Sequence, residues 1–431
     1  MITARAFAGK HYAVYGLARS GLATVEALLA SGAKVTAWDG KEEAQANAPA
    51  GVEIANLDEV DLGQFDSLVV TPGLPLNRHP IAQRAREAGV EIIGDIELFA
   101  RARPELPPHK VVGITGTNGK STTTALVHHI LKTAGVPTTM GGNIGLPILA
   151  QDPLPEGGVY VLELSSYQID LTQSLDCDVA VLLNITPDHL DRYESFGAYT
   201  ASKARLFEMQ TSNQVGLFNE GNAGSDDVID ELNHRLPSLP ARRETFHGAG
   251  ADTYVLSRAL AGWHNAVNAS AAISVCHALG VDEIDVREGL KSFTGLSHRM
   301  EPVRDHHGVL FVNDSKATNA TATAPALAAF PSIRWILGGQ AKTDNLDECA
   351  PHFCNVRSAY TIGDAAELFE RLLSPHMPVK NCGKLDEAVR LAAQDAQEGD
   401  TVLLSPACAS FDQFRDFEDR GDQFRAYVGA L

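Results

Sequence analysis

The chain has 431 residues, of which 44% are hydrophobic and 21% are charged, and its formal net charge is −19. Because nucleic-acid binding needs clustered lysine and arginine, this acidic balance argues against a nucleic-acid-binding protein. The length predicts about three domains. No secretory leader, no apolar run of membrane-spanning length and no zinc-type cysteine spacing occur, so we expect a cytoplasmic protein without membrane contact and with reduced, mostly buried thiols.

The first hundred residues alternate strand and helix patterns. HYAVYG, AKVTAWD and DSLVVTPG are short apolar runs typical of strands, and LATVEALLASG has the periodicity of a helix. Strands that alternate with helices predict a parallel, doubly wound α/β sheet. In the turn VYGLARSG, Gly16 and Gly21 frame Ala18, where a dinucleotide fingerprint has a glycine, and Asp39 falls where a ribose-binding acid would stand. The turn argues against NAD; it predicts either a site for another diphosphate or a packing turn.

Two more strand–helix series follow a proline-rich stretch, RPELPPHK, which is typical of a linker. The second contains KVVGIT, GVYVLELSS, CDVAVLLNIT, QVGLFNE and the helical pattern HNAVNASAAISVCHALG, and the third contains GVLFVNDS, RWILGG, SAYTIG and DTVLLSPA. We therefore predict three α/β domains, at residues 1–104, 105–300 and 301–431.

A candidate phosphate loop, GITGTNGKST, joins the first strand of the second series to a helix. Gly119, Lys120 and Ser121 match the end of the pattern G-x-x-x-x-G-K-[ST], although the leading glycine is displaced and Gly116 lies inside the loop. Small residues allow backbone N–H groups to converge on phosphate oxygens, and a helix that begins near Lys120 points its positive end at them. Lys120 would reach the terminal phosphates and Ser121 would bind magnesium. The alternative is a glycine-rich turn that binds nothing.

Several polar residues follow predicted strands of the second series. Glu163 ends an apolar strand, so it is either a magnesium ligand or a paired carboxylate. Asp188 and His189 stand in a loop at the same expected sheet edge, where open α/β sheets bind ligands. Asn143 is typical of a turn, and Lys203 in TASKARLF has the pattern of a solvated helix lysine.

The third series has a comparable cluster. Asp314, Lys316, Thr318 and Asn319 come directly after the strand GVLFV, which favours ligand binding. Arg299 lies at the predicted domain junction, where it would contact nucleotide phosphates or form an ion pair. The aromatic residues of LLSPACASFDQFRDF are compatible with core packing.

The ordered motifs GITGTNGKST, GNIG, LELSSYQ, NITPDHLDRY, HNAVNASAA, HRME, NDSKATN and LLSPACASFDQF resemble those of the Mur ligase family over almost the whole chain. The resemblance implies a uridine-nucleotide domain of Rossmann type, a central ATP-binding phosphate-loop domain and a Rossmann-like amino-acid domain. It implies uridine-nucleotide contacts by Arg19, Ser20, Gly40, Lys41 and Thr71, although Gly40 and Lys41 differ from the residue types of the family.

The resemblance also implies the roles of the remaining candidates. ATP would be held by Gly116, Thr117, Asn118, Gly119, Lys120, Ser121, Thr122, Asn265, Asn268, Arg299 and Asp314. Two magnesium ions would be held by Ser121, Glu163, His189 and Lys203, with Lys203 converted to a carbamate by carbon dioxide. The UDP-sugar and amino-acid substrates would meet Asn143, Thr318, Lys342, Ser410, Phe411 and Phe417. Lys120, His189 and Lys203 would be catalytic.

The implied reaction activates the terminal carboxylate of UDP-N-acetylmuramoyl-L-alanine with ATP and joins it to D-glutamate, within peptidoglycan synthesis, by a monomeric enzyme. Three alternatives stay open from the sequence. One is a sibling ligase for another amino acid or a folate, although a Rossmann-like domain precedes the loop and the third domain has no Asn-Pro-Arg motif. The others are a phosphate-loop switch or motor and a nicotinamide oxidoreductase.

Overall fold

The structure is a computed structural model that describes residues 1–186, 192–220, 241–260 and 263–431. The chain divides into two compact units, Met1–Phe293 and Thr294–Leu431. Among the described residues, no helix combines the length and the apolar character needed to cross a membrane. All six cysteines are free, as predicted, and four of them are buried.

The first unit begins with a parallel five-stranded sheet in the order β3-β2-β1-β4-β5. Its elements are β1 (His11–Tyr15), α1 (Arg19–Ala30), β2 (Lys34–Trp38), α2 (Glu42–Ala46), β3 (Glu53–Ile54), β4 (Ser67–Val70), α3 (Pro80–Glu87), β5 (Glu91–Ile93) and α4 (Asp95–Ala102). The three strands predicted here from apolar runs are confirmed, and the alternation of strand and helix gives the parallel sheet as expected.

The same unit continues with a second parallel sheet, whose described strands have the order β11-β10-β9-β6-β8-β7. Its elements are β6 (His109–Thr115), α5 (Lys120–Thr133), β7 (Thr138–Gly142), β8 (Gly158–Glu163), α6 (Ser166–Asp170), β9 (Val179–Leu182), α7 (Phe196–Glu208), β10 (Val215–Asn219), β11 (Arg242–Phe246), α8 (Trp263–Leu279) and α9 (Glu283–Ser292). Every residue of β8 and β9 is buried, which explains why these central strands are continuous apolar runs.

The two sheets of the first unit share one hydrophobic core, which runs from Ile2 to Phe218. The amide of Gly94 donates to Leu171 O at 3.0 Å, and the amide of Ile2 donates to Leu149 O at 3.0 Å. The predicted linker contains a short 3₁₀ helix, Arg103–Glu105, and then enters β6. Residues on both sides of the linker therefore pack as one compact unit.

The second unit contains a six-stranded sheet in the order β12-β13-β17-β14-β15-β16. Its elements are β12 (Glu301–His306), β13 (Val309–Asn313), α10 (Ala320–Ala328), β14 (Ile333–Gly338), β15 (Val356–Ile362), α11 (Ala366–Leu373), β16 (Val379–Gly383), α12 (Leu385–Asp395), β17 (Thr401–Leu404) and α13 (Phe417–Gly429). β12 pairs antiparallel with β13, whereas the other pairings are parallel. The sequence patterns did not predict this antiparallel edge strand. The α/β fold class is confirmed, and the three predicted domain boundaries stay predictions.

Candidate functional site

The phosphate loop lies where the sequence placed it, between the carboxyl end of β6 and the start of α5 at Lys120. Gly119 caps the helix with φ +86°, and a Cβ on this residue would overlap Asn268 Oδ1. Only glycine meets both demands without strain. The first N–H groups of α5 have no acceptor within the helix, so they present hydrogen-bond donors beside Lys120, as the predicted phosphate site would need.

The segment that follows β9 holds the loop from one side. The amide of Thr117 donates to Asn184 O at 3.0 Å, and the amide of Asn118 donates to Asn184 Oδ1 at 2.8 Å. Thr117 Oγ1 donates to Thr186 O at 3.2 Å and accepts from the Thr186 amide at 3.0 Å. Two loop amides, those of Thr117 and Asn118, are thus bound to protein. Sequence reasoning missed Asn184, although its position directly after a buried strand was a usable signal.

Two lysine ammonium groups meet at one carbonyl of the loop. Lys120 Nζ donates to Gly116 O at 2.9 Å and to Thr117 O at 2.8 Å. Lys203, on α7, is 2% exposed, and its Nζ donates to Gly116 O at 3.1 Å and to Thr115 Oγ1 at 3.4 Å. The residue pattern alone predicted a solvated Lys203, and that prediction is wrong because α7 packs its inner face against the loop.

A buried carboxylate stands at the next strand end. Glu163, the last residue of β8, is 2% exposed, and its Oε1 accepts from Asn143 Nδ2 at 3.1 Å. The Asn143 amide also donates to Glu163 O at 2.9 Å, so the GGNIG turn is fixed to this residue. Among the described residues, Glu163 Oε2 has no hydrogen-bond donor. A buried, unsatisfied carboxylate oxygen is costly unless a cation or donor reaches it.

The amino end of α8 completes the surroundings of the loop. Asn268 is buried, its Oδ1 accepts from Thr123 Oγ1 at 3.3 Å, and its Nδ2 donates to Asn265 Oδ1 at 3.2 Å. The structure therefore brings Asn265 and Asn268 to the first turns of α5, and their adenine-side role stays a prediction. Thr122 lies in the first turn of α5, and His189 is outside the described residues. No group of three or more His, Cys, Asp or Glu side chains suited to a metal occurs in the described part of the chain.

The predicted uridine-nucleotide residues gather at the carboxyl edge of the first sheet. Arg19 and Ser20 open α1, and Thr71 follows β4. Gly40 and Lys41 follow β2 at the same edge. Arg19 Nη2 also donates to Gly145 O at 3.4 Å, which brings this edge next to the GNIG turn of the second sheet.

Asp39, which stands where a ribose-binding acid would fall, binds two backbone amides. Its Oδ2 accepts from the Leu17 amide at 2.8 Å, and its Oδ1 accepts from the Lys41 amide at 2.9 Å. Both oxygens hold the backbone of the glycine turn and of the loop after β2. The carboxylate therefore shapes the edge of the sheet.

In the second unit, Asp314 follows β13 and is buried. Its Oδ2 accepts from Ser405 Oγ at 2.8 Å and its Oδ1 from the Met300 amide at 3.1 Å. Burial raises the pKa of Asp314 to about 7, against the opposing effect of these hydrogen bonds and of Arg299. Asn319, a member of the polar cluster after β13, serves as the amino-terminal cap of α10, where its side chain accepts from the Ala322 amide.

The residues predicted for the amino-acid pocket lie after the carboxyl ends of β13, β14 and β17. Ser410 is buried, Phe417 opens α13, and Lys316 Nζ lies 5.3 Å from the Phe417 ring centroid. Phe411 is 70% exposed, so it does not belong to the core. Thr318 and Lys342 follow β13 and β14, at the edge where Ser410 follows β17.

Sequence reasoning missed a buried guanidinium in this unit. Arg420 is 0% exposed, and it donates to Ser315 Oγ at 2.9 Å and Ser315 O at 2.8 Å, and to Cys408 O at 3.1 Å. Ser315 Oγ in turn donates to Phe417 O at 2.8 Å. Burial lowers the pKa of Arg420 to about 10. The guanidinium thus ties the segments that carry Ser315 and Cys408 to α13.

Three Mur ligase domain families match the chain in order. The Mur ligase MurD-like N-terminal domain matches residues 10–94, the Mur ligase middle domain matches 114–240, and the Mur ligase glutamate ligase domain matches 298–408. The chain is 59% identical to the UDP-N-acetylmuramoylalanine--D-glutamate ligase of Novosphingobium aromaticivorans, covering 100% of this chain and 97% of that protein. It is 57% identical to the protein of the same name from Sphingopyxis alaskensis, covering 100% of both.

Solved structures share the fold at low sequence identity. The UDP-N-acetylmuramate-alanine ligase of Thermotoga maritima has a TM-score of 0.59 at 18% identity, covering 98% of this chain and 100% of that one. A MurF ligase from Thermotoga maritima, in complex with ADP, has a TM-score of 0.57 at 18% identity, covering 98% and 96%. E. coli FolC, in complex with DHPP and ADP, has a TM-score of 0.56 at 18% identity, covering 78% and 93%.

Proposed function

The chain belongs to the Mur ligase family, and we propose that it joins D-glutamate to UDP-N-acetylmuramoyl-L-alanine in an ATP-dependent reaction of peptidoglycan precursor synthesis. The observation that carries this proposal is the convergence of the phosphate loop, Glu163 and Lys203 at one edge of the second sheet, in a chain whose full length matches D-glutamate ligases. The product would serve cell-wall synthesis and, through it, cell shape and division.

The reaction would begin at the phosphate loop. The terminal alanine carboxylate attacks the γ-phosphorus of ATP, and an acyl phosphate and ADP form. Lys120, now bound to loop carbonyls, would turn toward the phosphates, while the amino end of α5 holds them. The D-glutamate amine then attacks the acyl carbon, and phosphate leaves. The chain mainly positions three substrates and excludes water, which would hydrolyse the acyl phosphate.

The donor set at the loop fits magnesium. Glu163 Oε2 is a buried carboxylate oxygen without a donor among the described residues, and Ser121 lies in the first turn of α5. These two residues would hold a first ion, and His189 with a carbamylated Lys203 would hold a second. A bound magnesium ion would offset the negative charge that develops on the phosphates.

Lys203 fits conversion to a carbamate. Its ammonium group is buried and shares the acceptor Gly116 O with the ammonium group of Lys120. The two positive charges repel each other, which favours loss of a proton from one of them. Loss of a proton leaves a neutral amine, which adds to carbon dioxide and releases a second proton as the carbamate anion forms. The anion would replace repulsion between two cations with attraction.

The second unit would bind D-glutamate. The two carboxylates of D-glutamate need cations, and Lys316 beside the Phe417 ring and Lys342 after β14 supply positive charge near Ser410. The nicotinamide alternative has no support, because Asp39 is bound to backbone amides and Ala18 stands in the turn. We retain a monomer and a cytoplasmic location as predictions.

Phosphate release tests the proposal. The purified chain is incubated with ATP, magnesium and UDP-N-acetylmuramoyl-L-alanine, and D-glutamate, L-glutamate, L-alanine and L-lysine are added in turn. We expect release that requires D-glutamate. Release with a different amino acid would assign the chain to a sibling ligase. Release without either small substrate would favour a switch or motor.

A further inference from the structure

Arg420 lies on α13, and each of its N–H donors has an acceptor inside the second unit. Its Nε donates to Ser315 Oγ at 2.9 Å, and Nη2 donates to Ser315 O at 2.8 Å and to Cys408 O at 3.1 Å. Nη1 donates to Gly338 O and to Ala409 O, both at 3.4 Å. A guanidinium has five N–H donors, so these five contacts account for all of them. Because the side chain is also 0% exposed, it acts on the segments that it holds and does not itself touch a substrate.

The three loops that Arg420 joins carry residues predicted for the amino-acid pocket. They are the loops after β13, β14 and β17, which are parallel neighbours in the sheet, so their carboxyl ends lie at one edge. Each loop places a predicted contact within a few positions of a carbonyl that Arg420 binds: Thr318 after Ser315, Lys342 after Gly338, and Ser410 after Ala409. One side chain therefore fixes the distances between the three loops.

A fourth predicted contact, Phe417, is tied to the same group through Ser315. Ser315 Oγ accepts from Arg420 Nε and donates to Phe417 O at 2.8 Å, at the start of the helix that carries Arg420. Lys316 Nζ, from the residue after Ser315, lies 5.3 Å from the centroid of the Phe417 ring. The hydroxyl thus links the first turn of α13 to the loop after β13.

The loop after β17 has a backbone conformation that needs support from its surroundings. Ala407 has φ +57°, a left-handed conformation that is unfavourable for a residue with a Cβ. Its amide donates to Ala317 O at 3.0 Å, and Ala409 exchanges two backbone hydrogen bonds with Gln340, at 2.9 and 3.0 Å. A strained conformation persists where the surrounding contacts determine it. Arg420 supplies two more such contacts by binding the carbonyls of the two residues that follow Ala407.

We propose that Arg420 is a positioning residue for the amino-acid substrate, which holds the three loops in the arrangement that presents Thr318, Lys342 and Ser410 to D-glutamate. The planar fork of arginine suits this role because it binds carbonyls in several directions from one buried point, which the ammonium group of lysine does not. Without the guanidinium, each loop keeps its residues but loses the spacing that a substrate with two carboxylates requires. The identity of the substrate rests on the proposed function.

Steady-state kinetics of phosphate release measure the effect on each substrate separately. In Arg420→Met and Arg420→Lys the KM for D-glutamate should rise by about tenfold or more, because small displacements of positioning groups are costly. The KM for UDP-N-acetylmuramoyl-L-alanine should change little, because its predicted contacts Arg19, Ser20 and Thr71 lie in the first unit. Partial unfolding alone would lower the amount of active protein, and with it the apparent kcat, and would leave each KM unchanged.

Ser315→Ala is a smaller change that tests the same network if the Arg420 variants do not fold. It removes the hydroxyl between Arg420 and Phe417 while it keeps a small side chain, and the KM for D-glutamate should rise severalfold. Arg371→Met is the matched control, because it removes an exposed arginine in the last turn of α11 of the same unit. It should leave the KM for D-glutamate unchanged.

Three results would contradict different parts of the account. An unchanged KM for D-glutamate in folded Arg420 variants, or in Ser315→Ala where those variants do not fold, overturns the inference. An unchanged KM in Arg420→Lys alone also overturns it, because a charge without the planar fork would then suffice. Phosphate release by the unchanged protein that does not depend on D-glutamate would instead contradict the proposed function.

Discussion

Asp314 makes the stability of the second unit depend on pH. Its carboxyl is buried between Ser405 Oγ and the Met300 amide, and burial raises its pKa from 3.8 to about 7. Between these two values the folded protein keeps a proton that the unfolded chain has lost. The free energy of unfolding therefore decreases as pH rises from about 4 to about 7, and the loss levels off above the folded-state pKa.

The magnitude follows from the size of the shift. Each pKa unit corresponds to about 1.4 kcal/mol, so the full cost of ionising Asp314 is about 4 kcal/mol. Between pH 5 and pH 8, about 2–3 kcal/mol of this cost accrues. Asp314→Asn removes the ionisation and keeps the shape. We expect this variant to gain stability relative to the unchanged protein by that amount over the same interval.

Trp335 provides a local reporter for the assay. It is fully buried in β14, and its indole N–H donates to Ser405 O at 2.8 Å, next to the hydroxyl that contacts Asp314. The chain has three tryptophans, so substitution of Trp38 and Trp263 by phenylalanine leaves fluorescence that reports only the second unit. Urea unfolding is then followed at pH 5 and pH 8 in backgrounds with aspartate or asparagine at position 314.

Asp344→Asn is the control, because it removes the same charge at an exposed position of the same unit. Its effect on the free energy of unfolding should be the same at both pH values. A stability difference for Asp314→Asn that is also equal at pH 5 and pH 8 would refute the argument from burial.

Three further predictions concern the phosphate-loop edge. Gly119→Ala forces a side chain into a left-handed conformation against Asn268, and steady-state kinetics should show a loss of about tenfold or more in kcat/KM for ATP; an unchanged value would contradict the geometry. In Gly142→Ala the added methyl group would overlap Glu163 O, at a residue whose φ is +84°. Denaturant unfolding should show that the free energy of unfolding falls by about 2 kcal/mol or more. An unchanged free energy of unfolding would contradict this prediction. Protein equilibrated with ¹³C-bicarbonate should give a carbamate carbon signal by NMR that is absent in Lys203→Arg, and the same signal in both would place the modification elsewhere.

The sequence predicts the strands well because the central strands are covered on both faces. β8 and β9 have no exposed residue, so their apolar runs are unbroken and easily recognised. β3 has two residues, both exposed, and β12 is an antiparallel edge strand with no fully buried residue. Such short or edge strands leave no comparable pattern, which is why they were missed.

Some site residues are placed by the sequence, whereas the burial of others depends on packing that the sequence does not reveal. The position of Glu163 follows from the strand that it ends, and the sequence placed it correctly. The burial of Lys203 depends on the packing of α7 against a loop almost ninety positions earlier in the chain, which helical periodicity does not reveal. Arg420 lies among charged residues in FEDRGDQF, a pattern typical of an exposed helix, yet it is fully buried because three distant loops present carbonyls to it.

An isotope-transfer measurement tests the central claim, that the chain forms an amide by way of an acyl phosphate. UDP-N-acetylmuramoyl-L-alanine labelled with ¹⁸O in both terminal carboxylate oxygens is incubated with the protein, ATP, magnesium and D-glutamate, and product and phosphate are analysed by mass spectrometry. The account predicts a product that contains D-glutamate and one ¹⁸O, with the other ¹⁸O in the released phosphate. Release of unlabelled phosphate, or phosphate release without an amide product, would contradict it.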